Sequence, residues 1–254
     1  MDKRIAIITG ASGGIGREFC NYLYGEVDEI WAIARNQEKL DNLRKELGEK
    51  IRPISKDLTK TEDIRSIGKM LGETKVTVAY LINNAGVARM GSYEEFSVEE
   101  VEATIHINCS AVAVLCTICI PYMKAGSRIL NVSSSSSFQP LPYLNLYAAT
   151  KVFVRSYSRS LNVELKGTGI TVTAVCPGWV DTELLMKEIN GVPVKFPGIV
   201  SAERVARVAL KDAKCGRDMS VCSMYFKLEH VLTKIFPQKA AMGAWYKNIK
   251  KYGF

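Results

Sequence analysis

The fold is decided by the stretch T-G-A-S-G-G-I-G, Thr9–Gly16, which joins a short apolar run to a segment with helical spacing. The run Ile5–Thr9 is β-branched and continuous, as expected for a buried strand. Gly10 permits a tight turn, whereas Gly14 and Gly16 let the backbone and the helix N-terminus approach a pyrophosphate closely. A glycine-rich loop between a first strand and a first helix therefore predicts a dinucleotide site.

The rest of the chain alternates between β-branched runs and helix-like stretches. The predicted strands are Ile5–Thr9, Ile30–Ala34, Ile51–Ser55, Val78–Asn83, Arg128–Ser133 and Ile170–Cys176. The predicted helices are Gly14–Leu23, Gln37–Leu47, Glu62–Met70, Val98–Met123 and Leu146–Leu165. This alternation predicts an α/β fold: a single-domain, Rossmann-like, doubly wound parallel sheet of about seven strands with helices on both faces. Residues 1–223 would form this domain, and residues 224–254 a basic, amphipathic helical extension of it.

The charge of the chain is concentrated at its C-terminal end. The net charge is +8, and the segment Lys227–Phe254 carries +5 of it through six lysines and one acid. The small excess elsewhere does not indicate a nucleic-acid groove, so we expect no nucleic-acid partner. The extension has several open interpretations: it covers the substrate pocket, docks elsewhere on its own domain, forms a subunit interface, or makes peripheral contact with an anionic membrane surface. Pro237 should break it into two helices.

Two features bear on the compartment. Ala103–Met123 holds no charged residue over 21 positions, which is long enough to span a bilayer, but its polar residues favour a helix buried on both sides within an α/β protein. The seven cysteines are odd in number and no signal peptide precedes them, which favours a reducing, cytoplasmic location.

Cys116 and Cys119 form a C-x-x-C without a second pair, so we expect buried cysteines and no metal site.

The residue after the second predicted strand bears on nucleotide choice. A site for NAD would have an acid there to bind the ribose 2′-hydroxyl, but the chain has Arg35. The planar guanidinium suits a 2′-phosphate, which favours NADP (NADPH) over NAD. The alternative is a solvated arginine at the start of the next helix. Arg17 is a further candidate for this contact.

The pattern Y-x-x-x-K occurs at Tyr147–Lys151 and again at Tyr246–Lys250. With 11 tyrosines in the chain, about one match is expected by chance, so context must separate the two. Tyr147 follows Ser134 by 13 residues, and Ser134 ends a predicted strand. The carboxyl ends of parallel strands bind ligands, and i, i+4 spacing puts Tyr147 and Lys151 on one helix face. The first match is therefore the candidate site.

Taken together, these motifs resemble the short-chain dehydrogenase/reductase family, of the single-domain kind with about 250 residues. The resemblance covers about residues 4–223. It rests on T-G-x-x-x-G-I-G at Thr9–Gly16, Asp57-Leu58, N-N-A-G at Asn83–Gly86, Asn108, Ser134, Tyr147-x-x-x-Lys151 and P-G-W-V-D-T at Pro177–Thr182.

The resemblance implies a role for each catalytic residue. Tyr147 would be the general acid in ketone reduction and the general base in alcohol oxidation. Lys151 would lower the pKa of that phenol and hold the nicotinamide ribose. Ser134 would hydrogen-bond the substrate oxygen, and Asn108 would fix a water that links Lys151 to solvent. The implied cofactor-binding residues are Gly10, Ser12, Gly13, Gly14, Ile15, Gly16, Arg35, Asp57, Leu58, Asn84, Ala85, Gly86, Tyr147, Lys151, Pro177, Gly178, Val180 and Thr182.

The substrate should be held by loops that follow the strands, and these loops are apolar. The candidate pocket residues are Leu141, Tyr143, Leu144, Leu184, Leu185 and Met186. They favour a hydrophobic ketone or aldehyde and its alcohol, whether steroid-like, quinone, aromatic or aliphatic. Two alternatives remain open: a 3-oxoacyl-carrier-protein reductase of fatty-acid synthesis, and a catalytically silent, nucleotide-binding redox sensor. The resemblance further implies a homodimer or homotetramer built through the two long helices.

Overall fold

A computed structural model describes residues 2–183, 185, 187–189 and 191–253. Its central sheet contains seven parallel strands: β1 (Lys3–Thr9), β2 (Glu29–Ala34), β3 (Ile51–Ser55), β4 (Val76–Asn83), β5 (Arg128–Val132), β6 (Thr171–Val175) and β11 (Met219–Ser220). Their order across the sheet is β11-β6-β5-β4-β1-β2-β3. The order reverses direction between β1 and β4, which is the point where open α/β sheets bind ligands. The predicted doubly wound parallel sheet is confirmed.

Nine α-helices occur in the described part of the chain. They are α1 (Gly14–Leu23), α2 (Gln37–Leu47), α3 (Thr61–Gly72), α4 (Val98–Ile105), α5 (Ala111–Cys119), α6 (Asn145–Glu164), α7 (Ala202–Lys214), α8 (Met224–Ile235) and α9 (Gln238–Lys250). The sequence analysis predicted no helix at α7. Its signals are nevertheless present: Ser201 caps the first turn by accepting from the Arg204 amide at 3.1 Å, and the buried residues recur at helical spacing.

The core lies on both faces of the sheet, because successive strand residues point to opposite sides. From β1, Ala6 and Ile8 pack on one face with α1, α2 and α7. Ile5 and Ile7 pack on the other face with α3, α5 and α6. Helices that cover both faces explain why the strands read as continuous apolar runs rather than as alternating ones.

Two pairs of short strands lie in the segment between β6 and α7. β7 (Val180–Asp181) pairs in parallel with β10 (Val200–Ser201). β8 (Glu188–Ile189) pairs in antiparallel fashion with β9 (Val192–Pro193). The first pair ties the segment after β6 to the residues that immediately precede α7.

The predicted long helix runs from Val98 to Tyr122 but is interrupted by a π-helical turn at His106–Ser110. It is the one helix among the described residues that is long and apolar enough to cross a membrane by length and composition. The expectation that it is buried on both sides is wrong for the single chain. Leu115 is in the core, whereas Ile105 and Val114 are exposed on its outer side.

The extension forms α8 and α9, and the break falls at Pro237 as predicted. α8 is fixed to the domain through Phe226, which is buried with Phe138 and Cys176. A Cβ on Gly178 would lie 1.8 Å from the Phe226 ring, so glycine is required there for α8 to dock.

Candidate active site

The glycine loop is shaped as a close-approach turn. Gly10 has φ +64°, a conformation that residues with a side chain rarely adopt. A Cβ on Gly16 would lie 2.1 Å from the Gly10 carbonyl oxygen, so no side chain fits there. Gly13 is the N-cap residue of α1 and carries no side chain to cap the helix. The first amides of α1 are therefore available to an anion such as a pyrophosphate.

A buried threonine, which sequence reasoning missed, ties this loop to the N-N-A-G segment. The Thr9 hydroxyl accepts hydrogen bonds from the Asn84 amide at 2.9 Å and the Ala85 amide at 3.0 Å, and donates to the Ile82 carbonyl at 3.3 Å. The Asn84 side chain donates to the Gly10 carbonyl at 3.2 Å. Thr9 ends β1 and Asn84 follows β4, so these bonds join the two strands at the point where the sheet order reverses.

The candidate adenosine end of the cleft lies after β2 and β3. Arg35 is exposed there. Burial acts to raise the pKa of Asp57, but hydrogen bonds from the Thr59 amide and hydroxyl, and the charge of Arg35, lower it overall. Asp57 is therefore held as a carboxylate. Arg17 instead forms an ion pair with Glu46 at 2.6 Å, which leaves it less available to a ligand.

The P-G-W-V-D-T segment lies against the same loop from above. A Cβ on Gly14 would lie 3.2 Å from the Thr182 methyl group, so this side chain sits directly over the start of α1. The Pro177 carbonyl accepts a hydrogen bond from the Ser135 amide at 2.7 Å, which joins the segment to the end of β5. Val180 belongs to β7, and its pairing with β10 holds the segment in place.

Tyr147 and Ser134 lie together at the carboxyl edge of the sheet. Burial raises the pKa of Tyr147, and a hydrogen bond from Ser134 acts in the opposite direction. The expected lowering of this pKa is therefore not produced by the chain alone. The charge of Lys151 is not among the causes that shift this pKa, and its ammonium lies 5.6 Å from the centre of the Tyr147 ring.

The Lys151 ammonium is buried and held by the backbone. Its Nζ donates to the Val132 carbonyl at 2.8 Å, and the Ser133 hydroxyl donates to the Lys151 carbonyl at 2.7 Å. Burial lowers the pKa of Lys151 to about 8, with small opposing effects from neighbouring thiols. A Cβ on Gly86 would lie 3.4 Å from this Nζ, so the N-N-A-G segment passes directly beside it.

Asn108 lies in the π-helical turn, fully buried. Its side chain accepts from the Val87 amide and donates to the Val87 carbonyl, both at 2.9 Å, and donates to the Thr150 hydroxyl at 3.0 Å. Thr150 in turn donates to the Tyr147 carbonyl at 2.7 Å. π-helical turns often mark functional sites. Here the turn directs Asn108 to the segment beside Lys151, so the structure brings the predicted catalytic residues Asn108, Ser134, Tyr147 and Lys151 together.

The candidate substrate loop is covered by the extension. Leu141 and Leu144 are buried in one apolar cluster with Tyr147, Met90 and Trp245. The Trp245 indole N–H donates to the Pro142 carbonyl at 2.9 Å. Met90 belongs to the segment Val87–Gly91, which the sequence also predicts to line the pocket. Sequence reasoning missed Trp245, because nothing local connects it to a loop that lies 103 residues earlier in the chain.

The remaining predicted pocket residues do not belong to the cluster of Leu141 and Leu144. Tyr143 has φ +61°, unusual for a residue with a side chain, and its ring stacks on Tyr246 of α9 at 6.1 Å. Leu185 is half-buried, and its amide donates to the Thr182 carbonyl at 3.0 Å. Leu184 and Met186 lie outside the described residues.

An apolar cleft of about 360 Å³ lies beside the start of α6 but does not belong to this site. Asn145, Leu146 and Ala149 contribute to its lining. At 3.6 residues per turn, these positions fall on the side of the helix away from Tyr147 and Lys151. The substrate would therefore meet Tyr147 from the opposite side, where the Leu141 and Trp245 cluster lies.

The fold and the site together define a class of protein. A parallel sheet with a glycine loop at its switch point binds a dinucleotide. A half-buried tyrosine, Tyr147, and a buried lysine, Lys151, at the other end of the same cleft can move a proton at the substrate. This combination is that of an oxidoreductase using a nicotinamide nucleotide.

Comparison with known proteins agrees with that class. The family model described as short chain dehydrogenase matches residues 4–192. An uncharacterised oxidoreductase of Staphylococcus aureus strain MRSA252 is 29% identical over 187 residues, covering 72% of this chain and 81% of the relative. The chain belongs to the short-chain dehydrogenase family and is an NAD(P)-dependent oxidoreductase.

Solved structures extend the similarity over almost the whole chain. A short-chain dehydrogenase from Sphingobium yanoikuyae in complex with NADPH is 27% identical with a TM-score of 0.76, covering 91% of this chain and 94% of that one. A serine dehydrogenase complexed with NADP⁺ is 32% identical with a TM-score of 0.64, covering 70% of this chain and 74% of that one.

Proposed function

We propose that the protein is an NADP(H)-dependent oxidoreductase that interconverts a hydrophobic ketone or aldehyde and its alcohol. The observation that carries this proposal is the apolar cluster of Leu141, Leu144 and Trp245 around Tyr147. An apolar wall beside a proton-transferring phenol suits a carbonyl carried on a hydrophobic body and offers little to a charged substrate.

The residues of the cleft fit a nicotinamide dinucleotide. Gly16 lies too close to the Gly10 carbonyl for any side chain, which keeps the turn tight. A Cβ on Gly13 would meet nothing within 4 Å, so the space beside the free amides at the start of α1 is open. Lys151 would hold the nicotinamide ribose, and Asp57 would accept a hydrogen bond from the adenine amine. When bound, the cofactor supplies or accepts the hydride.

The exposed position of Arg35 after β2 supports a preference for NADP. Its guanidinium could pair with a 2′-phosphate in bidentate fashion, whereas an acid for a 2′-hydroxyl is absent from this sequence position. The Sphingobium and serine dehydrogenase structures hold NADPH and NADP⁺, respectively, which agrees with this preference.

Proton transfer is assigned to Tyr147. During reduction, its phenol would donate a proton to the carbonyl oxygen, while the Ser134 hydroxyl would hydrogen-bond that oxygen as negative charge develops. Burial raises the pKa of Tyr147, so the phenol is protonated at neutral pH and can serve as the acid that reduction requires. Lys151 would stabilise the phenolate that forms, and Asn108 would fix a water that returns the proton from solvent.

The proposed assembly is a homodimer or homotetramer. Apolar side chains are exposed on the outer sides of the long helices, where a second copy could cover them; these are Ile105, Val114, Val152, Phe153 and Val163. A cytoplasmic location is also proposed, since all seven cysteines are free thiols.

The test is NADPH and NADH consumption with a panel of carbonyls, from small aldehydes through quinones and steroid ketones to an acetoacetyl thioester. Tyr147→Phe should abolish turnover with nucleotide binding retained. The matched control is Tyr246→Phe, the same change in the second Y-x-x-x-K pattern, which should leave turnover intact. Preference for the thioester would support a carrier-protein reductase instead. Nucleotide binding without any Tyr147-dependent turnover would favour the redox sensor.

A further inference from the structure

The outward side of α8 is apolar. Phe226 faces the domain and is buried, whereas the exposed apolar residues of the helix are Met224, Tyr225, Leu228, Val231, Leu232 and Ile235. At 100° per residue, Met224, Leu228, Val231 and Ile235 fall within a narrow arc, and we call these four residues the outer stripe. The usual pattern of a surface helix is reversed here, because its widest apolar face points to solvent.

The exposed apolar side chains are concentrated in the extension. Of the 18 large ones in the described residues, eight lie between Met224 and Tyr246. Single exposed apolar residues are ordinary, but a contiguous group marks a surface that another body covers. The outer stripe is therefore an interaction surface.

The charge beside the outer stripe indicates what covers it. Lys227 and Lys234 lie one above the other along one edge of the stripe, at i and i+7. Long lysine stems can lie along an apolar surface while the ammonium groups reach outward to anions. An apolar face with lysines along its edge is typical of a helix that lies in the interface of an anionic bilayer.

A second copy of the chain is less suited to this surface. Each extension carries six lysines and one acid, Glu229, so two copies would bring like charges together. Burial raises the pKa of Glu229 to about 7, which weakens even that negative charge at neutral pH. An anionic surface, in contrast, is complementary to the whole extension.

α8 is held so that the outer stripe cannot turn inward. The Phe226 ring occupies the space over Gly178, and Phe138 packs against His230 with ring centroids 4.3 Å apart. On the other flank, a Cβ on Gly198 would lie 2.8 Å from the Tyr225 Cβ. Contacts on the inner side and one flank of α8 therefore fix its orientation, and the outer stripe faces solvent.

We propose that α8 docks the protein on the surface of an anionic lipid bilayer, with the outer stripe entering the headgroup region and Lys227 and Lys234 binding lipid phosphates. The docking is peripheral, because one face of a single amphipathic helix reaches only about 5–10 Å into the bilayer. This membrane docking does not depend on the identity of the carbonyl substrate.

The test is flotation of the full chain with vesicles of phosphatidylcholine alone or mixed with phosphatidylserine, at low and high salt. We expect flotation with the mixed vesicles at low salt, and a clear loss both at high salt and without phosphatidylserine. Leu228→Glu/Ile235→Glu should abolish flotation. Lys227→Gln/Lys234→Gln should weaken partitioning about thirty-fold.

Two control variants match these changes on other helices. Lys45→Gln/Lys69→Gln removes the same charge from exposed positions of α2 and α3, and Val98→Glu places an acid at an exposed apolar position of α4. Both should float as the unchanged protein does. NADPH binding and circular dichroism, unchanged in every variant, show that the fold is retained.

Three results would overturn the proposal. These are no flotation of the unchanged protein with phosphatidylserine, equal flotation with both vesicles, or equal loss in the control variants. Gel filtration with light scattering provides a further check on the same samples. If Leu228→Glu/Ile235→Glu instead reduces the molecular mass in solution, a second copy covers the outer stripe and lipid does not.

Discussion

At the scale of single residues, the site couples two groups whose pKa values are displaced by the same cause. Burial raises the pKa of Tyr147 and lowers that of Lys151 to about 8. Each group is therefore biased towards its neutral form, and the ammonium is lost within an accessible pH range. In the proposed mechanism, that ammonium would stabilise the phenolate that forms during reduction.

We therefore expect kcat/KM for ketone reduction to be constant below about pH 8 and to fall as pH rises through the pKa of Lys151. The sign follows because Tyr147, with its raised pKa, remains protonated over this range, while Lys151 loses its charge. Lys151→Arg keeps a positive charge to much higher pH, so its slower reaction should lack this fall. Identical pH profiles for the two proteins would rule out Lys151 as the titrating group.

Arg35 gives a second prediction at this scale. Arg35→Asp removes the partner of a 2′-phosphate and adds an acceptor for a 2′-hydroxyl. We expect kcat/KM for NADPH to fall about 100-fold, within the range for a lost charge-assisted hydrogen bond plus repulsion, with that for NADH unchanged or raised. Arg17→Gln is the control, because Arg17 is paired with Glu46 and should affect neither nucleotide by more than about threefold. Equal losses with both nucleotides would contradict the assignment.

At the scale of elements, the sequence predicted best what local pattern determines. Each predicted strand is found within two residues of its predicted ends, because apolar runs covered on both faces carry a strong signal. The π-helical turn at Asn108 could not be predicted, since it depends on hydrogen bonds to Val87 from elsewhere in the chain. α7 was missed although Ser201 and the apolar spacing after it were present.

Trp245 was missed for a similar reason, since α9 meets the substrate loop only in three dimensions. Trp245→Ala should remove one wall of the proposed pocket and raise KM for a bulky ketone at least about tenfold, with little effect on a small aldehyde. Leu228→Ala, at an exposed position of the same extension, serves as the control and should change neither value. An equal loss for both substrates would mean that Trp245 supports the catalytic residues and does not shape specificity.

At the scale of the whole molecule, two groups of exposed apolar side chains in the described part of the chain call for a partner. One is the outer stripe of α8, and the other lies on α5 and α6 around Val114 and Phe153. The second surface has no lysine-rich edge comparable to that of the extension. It also lies on the two long helices through which the family resemblance implies assembly. Different partners are therefore expected: lipid for the first, and a second copy for the second.

The assembly surface gives a prediction that separates the two. Phe153→Glu would place a charge in an apolar, symmetric interface, where each copy contributes one buried acid facing its equivalent region. We expect the dissociation constant of the dimer to rise at least about a hundredfold, measured by light scattering across a concentration series. Leu228→Glu should leave that constant unchanged, because α8 lies outside this interface. If Leu228→Glu dissociates the dimer and Phe153→Glu does not, the assignment of the two surfaces is reversed: copies meet through the extension, and the long helices face another partner.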